Sequence, residues 1–133
     1  MIQRKELRNL VRARLKDAEV LCANRRYAGA VYLCGYAVEL ALKDRICRTL
    51  KCSGFPETRT ERQGLGSFIV HNLEMLLHLS GIEARIRTRH LAAWSVVIQW
   101  DTELRYQPAR QTTSIDAMNM LSATKTLVQI LSW

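Results

Sequence analysis

Side chains able to move a proton or hold a phosphate are few and widely spaced in this chain. Three histidines, groups that titrate near neutral pH, stand among 133 residues whose 20 lysines and arginines outnumber 12 acidic residues. His71 sits where a short helix begins and reads as a residue that caps or orients it; His78 reads as an edge residue. His90 is four residues from both Ile86 and Trp94, which places it on or beside an apolar helical seam. A packed or interfacial histidine suits that place better than a proton shuttle. Glu39 is the only charge between Tyr27 and Leu42. It reads either as an exposed i,i+4 partner of Lys43, worth a few tenths of a kcal/mol, or as a buried carboxylate that needs a partner. Arg4, Arg8, Arg12 and Lys16 recur every four residues and line one helix face as a cationic row. Such a row suits RNA, nucleotide phosphates or an acidic protein, and is equally the solvated face of a soluble helix. Trp100 could stack on a base, although a core position fits it better.

Several chemistries are disfavoured by spacing. Cys22, Cys34, Cys47 and Cys52 form no C-x-x-C pair, and two fall within core helices. They read as small hydrophobes in a reducing cytoplasm rather than as a disulfide framework. The spacing of Cys47, Cys52 and His71 is too irregular for a zinc site, so neither metal nor cofactor is expected. Gly64-Leu65-Gly66 lacks the rest of a phosphate-cradling motif. The opening MIQRKELRNL is charged throughout and carries no secretory signal, which points to the cytoplasm.

The elements that must position these groups are helical. A length of 133 residues suits one domain, 1–133, whose core needs no staples, and scarce Gly and Pro favour an all-α fold. Residues 2–23 predict a first helix with Leu7, Leu10, Val11, Ala18 and Leu21 buried. Asn24 to Arg26 is a tight connection to a second, antiparallel helix over Tyr27–Leu50. Its first part is apolar on nearly every side, so other helices must enclose it; Gly29, Gly35 and Glu39 speak against a membrane span. Lys43, Asp44, Arg45 and Arg48 mark its exit into solvent. Residues 51–66 read as an irregular insertion. Ser67 is the expected N-cap of a third helix ending near Ser80, with Gly81 as its stop. A fourth helix is expected from Ile82 to Trp100, with Ile86, Ala93, Trp94, Val97 and Trp100 as its seam and Arg85 and Arg89 on another face. After a break over Asp101–Gln111, Thr113 and Asp116 form a capping box for the last helix. Ile115, Met118, Leu121, Val128 and Leu131 are its expected buried residues.

Three segments together resemble one family. AVYLCGYAVELALKDRI is similar to the A-x-x-L-x-x-x-A-x-E-x-x-L-K helix of HEPN domains (higher eukaryotes and prokaryotes nucleotide-binding). His71-Asn72-Leu73 followed by EMLLHLSGI resembles their short third helix, and Trp100-Asp101-Thr102-Glu103-Leu104-Arg105-Tyr106 resembles the W-x-x-x-x-R-Y segment of the sacsin-like and nucleotidyltransferase-associated branches. The resemblance spans Leu15 to Val128 and implies an up-and-down helical bundle of about five helices that homodimerises. Many members are metal-independent ribonucleases of toxin–antitoxin or other defence systems. Others bind nucleotides or act beside a minimal nucleotidyltransferase.

The ribonucleases of the family use an Arg-x4–6-His motif, in which the RNA 2′-hydroxyl is the nucleophile, His moves protons and Arg holds the phosphate. By position Arg105 matches the motif arginine. The histidine should then lie at 110, 111 or 112, where Arg110, Gln111 and Thr112 stand, so the motif is broken. Arg85-x4-His90 has the spacing but lies too early, and five helical residues set the two side chains about 140° apart. Arg105, Tyr106 and Arg110 are therefore expected to bind phosphate, with Glu39 orienting Arg105 or Tyr106 and the row Arg4, Arg8, Arg12, Lys16 facing RNA. The expected function is non-catalytic binding of nucleotide or RNA, with a nucleotidyltransferase or antitoxin as a further partner. One alternative is a divergent ribonuclease toxin using Arg105 with His90 or His71; another is a protein-interaction module.

Overall fold

The computed structural model describes residues 2–55, 72–100 and 111–132. In chain order these form β1 (Ile2–Gln3), α1 (Arg4–Ala23), α2 (Tyr27–Thr49), β2 (Gly54–Phe55), α3 (Leu73–Ser80), α4 (Glu83–Arg89), α5 (Leu91–Val97) and α6 (Ser114–Leu131). The protein is an all-α helical bundle, with β1 and β2 a minimal antiparallel pair in which Ile2 faces Phe55.

Helix α2 is the axis of the bundle and packs against α1, α3 and α6. Its buried residues include Ala30, Cys34, Gly35, Ala37, Val38, Ala41 and Leu42, small enough for neighbouring backbones to approach closely. Gly35 shows how closely. A Cβ there would lie 2.1 Å from the Trp100 indole, whose Nε1–H donates to the Tyr32 carbonyl at 3.0 Å. The Tyr36 ring meets Trp100 edge-on at 5.4 Å between centroids. Trp100 is thus a core residue at 6% exposure, and stacking on a base is not the role its packing leaves it.

Both long N-terminal helices end in the same way. At α1, Arg25 adopts φ 62°, its N–H reaches the Cys22 carbonyl at 3.1 Å and the Arg26 N–H reaches Leu21 at 2.8 Å. At α2, Lys51 adopts φ 58°, its N–H reaches Arg48 at 3.2 Å and the Cys52 N–H reaches Cys47 at 2.8 Å. These are Schellman endings with a long cation where glycine is usual. Gly81 closes α3 at φ 82°, beneath the Thr49 side chain of α2.

Four expectations need correction. The N-cap of α3 is Asn72, whose side chain accepts from the N–H groups of Glu74 and Met75; Ser67 lies outside the described residues. The helix expected over Ile82–Trp100 is two, α4 and α5, meeting at His90 with φ −133° and ψ 30°. Thr88 Oγ1 donates back to the Ala84 carbonyl at 2.7 Å, a local bond that competes with the helical ladder just before the bend. In α6 the expected face is rotated: Ile115 and Met118 are 67% and 62% exposed, Leu121 and Val128 are half-buried, and Ala117, Met120, Ala123, Thr124, Leu127, Ile130 and Leu131 form the core side. In α1, Leu7, Val11 and Ala18 are buried as expected, while Leu10 and Leu21 are half-buried. The capping box of Thr113 and Asp116 is formed as expected, and its hydrogen bonds hold the exposed Asp116 carboxyl below the usual range.

Candidate functional site

Among the described residues, the charges of α1 and α2 fall into three settings, two of which occupy them with partners inside the fold. The first is buried within α2. Glu39 is 2% exposed, and its Oε2 lies 3.4 Å from Lys43 Nζ, which also stands 5.2 Å over the Phe55 ring. The i,i+4 pair read from the sequence is therefore formed, but in the interior rather than on the surface. Its other proposed partners, Arg105 and Tyr106, lie outside the described residues, as do Arg110 and His71.

The second setting is the C-terminal half of α2. Asp44, expected in solvent, is 4% exposed and accepts from Arg4 Nε at 2.9 Å. The carboxylate is carried inward because α1 and the β1–β2 pair cover that turn, and Arg4 follows it as a tether between α1 and α2. Arg4 is thereby separated in role from the rest of the cationic row. Nearby, burial holds the Arg45 guanidinium below its usual pKa, with Arg48, Arg85 and Arg4 adding repulsion and Asp44 opposing them. Arg45 and Arg48 are three residues apart on α2, but Arg4 and Arg85 belong to α1 and α4, so helix-by-helix pattern reading could not have joined the four.

The third setting is the outer face of α1. Arg8, Arg12 and Lys16 are exposed. Among the described residues no carboxylate lies within 4.0 Å of them, and Arg12 donates only to its neighbour Asn9 at 3.1 Å. Arg8 and Arg12 line a cavity of about 140 Å³ with Val11, Ala41, Asp44, Val128 and Ser132. The final turn of α6 carries no basic residue of its own, so these two arginines also lie toward its uncompensated carbonyl end. At the opposite end of α1, Arg25, Arg26, Tyr27 and Thr112 border a cavity of about 370 Å³. Both arginines are exposed there. Exposed cations thus occupy the middle of α1 at Arg8, Arg12 and Lys16, and again its turn into α2 at Arg25 and Arg26.

The remaining sequence candidates are separated. Arg85 is exposed on α4, whereas His90 is half-buried at the α4–α5 bend, its N–H bonded to Ile86 at 2.9 Å. His78 lies 3.5 Å from Glu83 at the surface. A cavity of about 450 Å³ beside Trp100 is bordered by Val96, Gln99, Gln111, Thr112, Asp116 and Asn119, with no cation among these residues to hold a phosphate. Among the described residues no group of His, Cys, Asp and Glu is placed to hold a metal, and no helix is long and apolar enough to cross a membrane. Burial pushes the Cys34 and Cys47 thiols up to about 11. Comparison with family models, curated proteins and solved structures finds no match to this chain.

Proposed function

We propose that the protein binds RNA, or a nucleotide, through its phosphates along the outer face of α1, and does not cleave it. The observation that carries this reading is the set Arg8, Arg12 and Lys16, exposed on one face with no carboxylate within 4.0 Å among the described residues. A solvated helix that needs charge only for solubility ordinarily mixes both signs along each face; of the three acids of α1, Asp17 lies on Arg14 at 3.2 Å, Glu19 lies on Lys125 at 3.4 Å, and Glu6 stands in the first turn. A strip of cations some way apart along a helix meets successive phosphates of a strand better than it encloses a small anion. The resemblance to HEPN domains supports the same class of ligand. It adds Arg105, Tyr106 and Arg110 as phosphate contacts, a homodimer, and a nucleotidyltransferase or toxin–antitoxin setting. The absence of cleavage rests on the broken motif at Arg110, Gln111 and Thr112.

The test is titration of fluorescent single-stranded RNA over a series of salt concentrations. The expected result is an affinity that falls steeply with salt. A triple Arg8→Ala, Arg12→Ala, Lys16→Ala variant should reduce the log–log slope by about 2, at roughly 0.7 per phosphate contact on single strands. An unchanged slope in the triple variant would remove α1 as the binding face. Fragments formed in EDTA that vanish with His90→Ala would replace binding by catalysis.

A further inference from the structure

We infer that Cys47 and Cys52 form a reversible dithiol–disulfide site at the end of α2, oxidised by small anionic disulfides of the glutathione type. The inference is independent of RNA binding. In a Schellman ending the third residue from the end of the helix and the second residue beyond its cap bring their side chains together, most often as a hydrophobic contact. Here those positions are Cys47 and Cys52, joined through the backbone by the 2.8 Å bond from the Cys52 N–H to the Cys47 carbonyl. Lys51, between them in chain order, adopts the left-handed φ of 58° that the ending requires. The Cys52 thiol is exposed and lies 3.8 Å from the Leu50 carbonyl, on the same turn. Cys47 is buried, and its pKa is raised first by that burial and then by the Cys52 thiol.

The exchange proceeds in two balanced steps. The Cys52 thiolate attacks one sulfur of the small disulfide, the S–S bond breaks, and one glutathione thiolate leaves and takes up a proton. Cys47 then loses its proton to water and attacks Cys52 Sγ, expelling the second glutathione thiolate, which is protonated in turn. Two protein thiols are oxidised by two electrons and one external disulfide is reduced to two thiols. The exposed thiol is the entry point, and the buried one closes the ring. Arg48 and Lys51, both exposed cations on this turn, favour the approach of a disulfide that carries carboxylates. With its pKa at about 11, Cys47 makes closure the slow step, and its rate should rise about tenfold per pH unit below that value.

The experiment uses the full chain with oxidised glutathione, followed by alkylation and intact mass. The expected product is lighter by two hydrogens before alkylation and takes up two fewer alkyl groups than the reduced chain. Trypsin cleaves after Arg48 and Lys51, so the peptides bearing Cys47 and Cys52 should travel together until a reductant parts them. Cys52→Ser, an exposed position whose folding is readily confirmed by circular dichroism, should abolish the product. Cys47→Ser should leave a stable glutathione adduct, and Cys22→Ser should change nothing. A persistent adduct in the wild-type chain, a bridge that includes Cys22 or Cys34, or chain-to-chain dimers through Cys52 would each overturn the inference.

Discussion

On α1, Arg8, Arg12 and Lys16 stand in solvent with no carboxylate within 4.0 Å among the described residues, whereas on α2 Glu39, Lys43 and Asp44 are drawn inward and answered by partners at 2.9 to 3.4 Å. The two helices are antiparallel neighbours of similar length, and both carry charge, but α2 buries eleven of its residues where α1 buries three. Enclosure changes what an ionised group does. Inside, removal of one member of a pair strands the other away from water and costs several kcal/mol. Outside, a lone cation costs almost nothing and is available for binding. Charges on α2 therefore bear on stability, and charges on α1 bear on what the protein meets.

The strongest challenge to that division is alkali, because two thiols of α2 are held protonated by burial. Both Cys34 and Cys47 move from 9.0 to about 11. An unfolded chain releases these protons near pH 9 and the folded chain does so near pH 11, so the native state binds more protons in between. Their contribution to stability is present in full below pH 9 and is lost as pH rises through about 11. The loss should be on the order of 2–3 kcal/mol for each thiol. Denaturant midpoints measured from pH 8 upward in wild type and in Cys34→Ala should diverge in slope, the variant losing roughly half of the thiol-linked effect. Equal slopes would show that α2 is less enclosed than its packing indicates.

Next in size is Gly35→Ala. The added Cβ would lie 2.1 Å from indole atoms of Trp100, which is itself fixed by its bond to the Tyr32 carbonyl. The ring must leave its place, at a cost of about 3 kcal/mol, and a red shift of tryptophan emission should accompany the loss of stability. Gly29→Ala makes the comparison sharper. There the nearest atom is the Leu21 methyl at 3.2 Å, the end of a flexible side chain on α1, so the expected cost is smaller. The same substitution in the same helix thus reports which neighbour can yield.

These contacts also show what could be read from the chain alone. The limits of α2, the turn at residues 24–26, the stop at Gly81 and the capping box at Thr113 obey rules that act within a few residues, so composition and spacing expose them. The face of α6 does not. Ile115 and Met118 are as apolar as Met120, Leu127 and Ile130, yet only the latter face the core, where α6 packs against α2 and α5. Which face is covered is a property of the partner helices. Asp44 and Arg4 are 40 residues apart, and their pairing depends on how α1 lies on α2. Of the candidate site, the cationic row was legible through its spacing, while the departure of Arg4 from it and the arginine cluster around Arg45 were not. Arg105, Tyr106, Arg110 and His71 lie outside the described residues.

Asp44→Asn separates charge from shape at the α1–α2 junction. The amide keeps the volume but leaves the Arg4 guanidinium, still partly solvated, without its anion. The expected loss is about 2 kcal/mol, below the range for a fully buried pair because Arg4 retains some access to water. Adding Arg4→Met should recover part of it, since an uncharged side chain removes the stranded cation. A double variant as unstable as the sum of the two single ones would show that the pair is not coupled.

The smallest expected change in stability belongs to the residues with the largest expected role in binding. The triple variant Arg8→Ala, Arg12→Ala, Lys16→Ala should alter the unfolding free energy by no more than about 0.5 kcal/mol, since exposed charges without partners contribute little. Alanine's helix propensity offsets any interaction with the end of α6. Asp44→Asn should do the opposite, lowering stability while leaving the salt dependence of RNA binding in place. The two variants therefore exchange effects: one loses ligand and keeps the fold, the other loses fold stability and keeps the ligand. If the triple variant unfolded as readily as Asp44→Asn, Arg8 and Arg12 would be structural counter-charges for the carbonyl end of α6, and the outer face of α1 would have no separate purpose to assign.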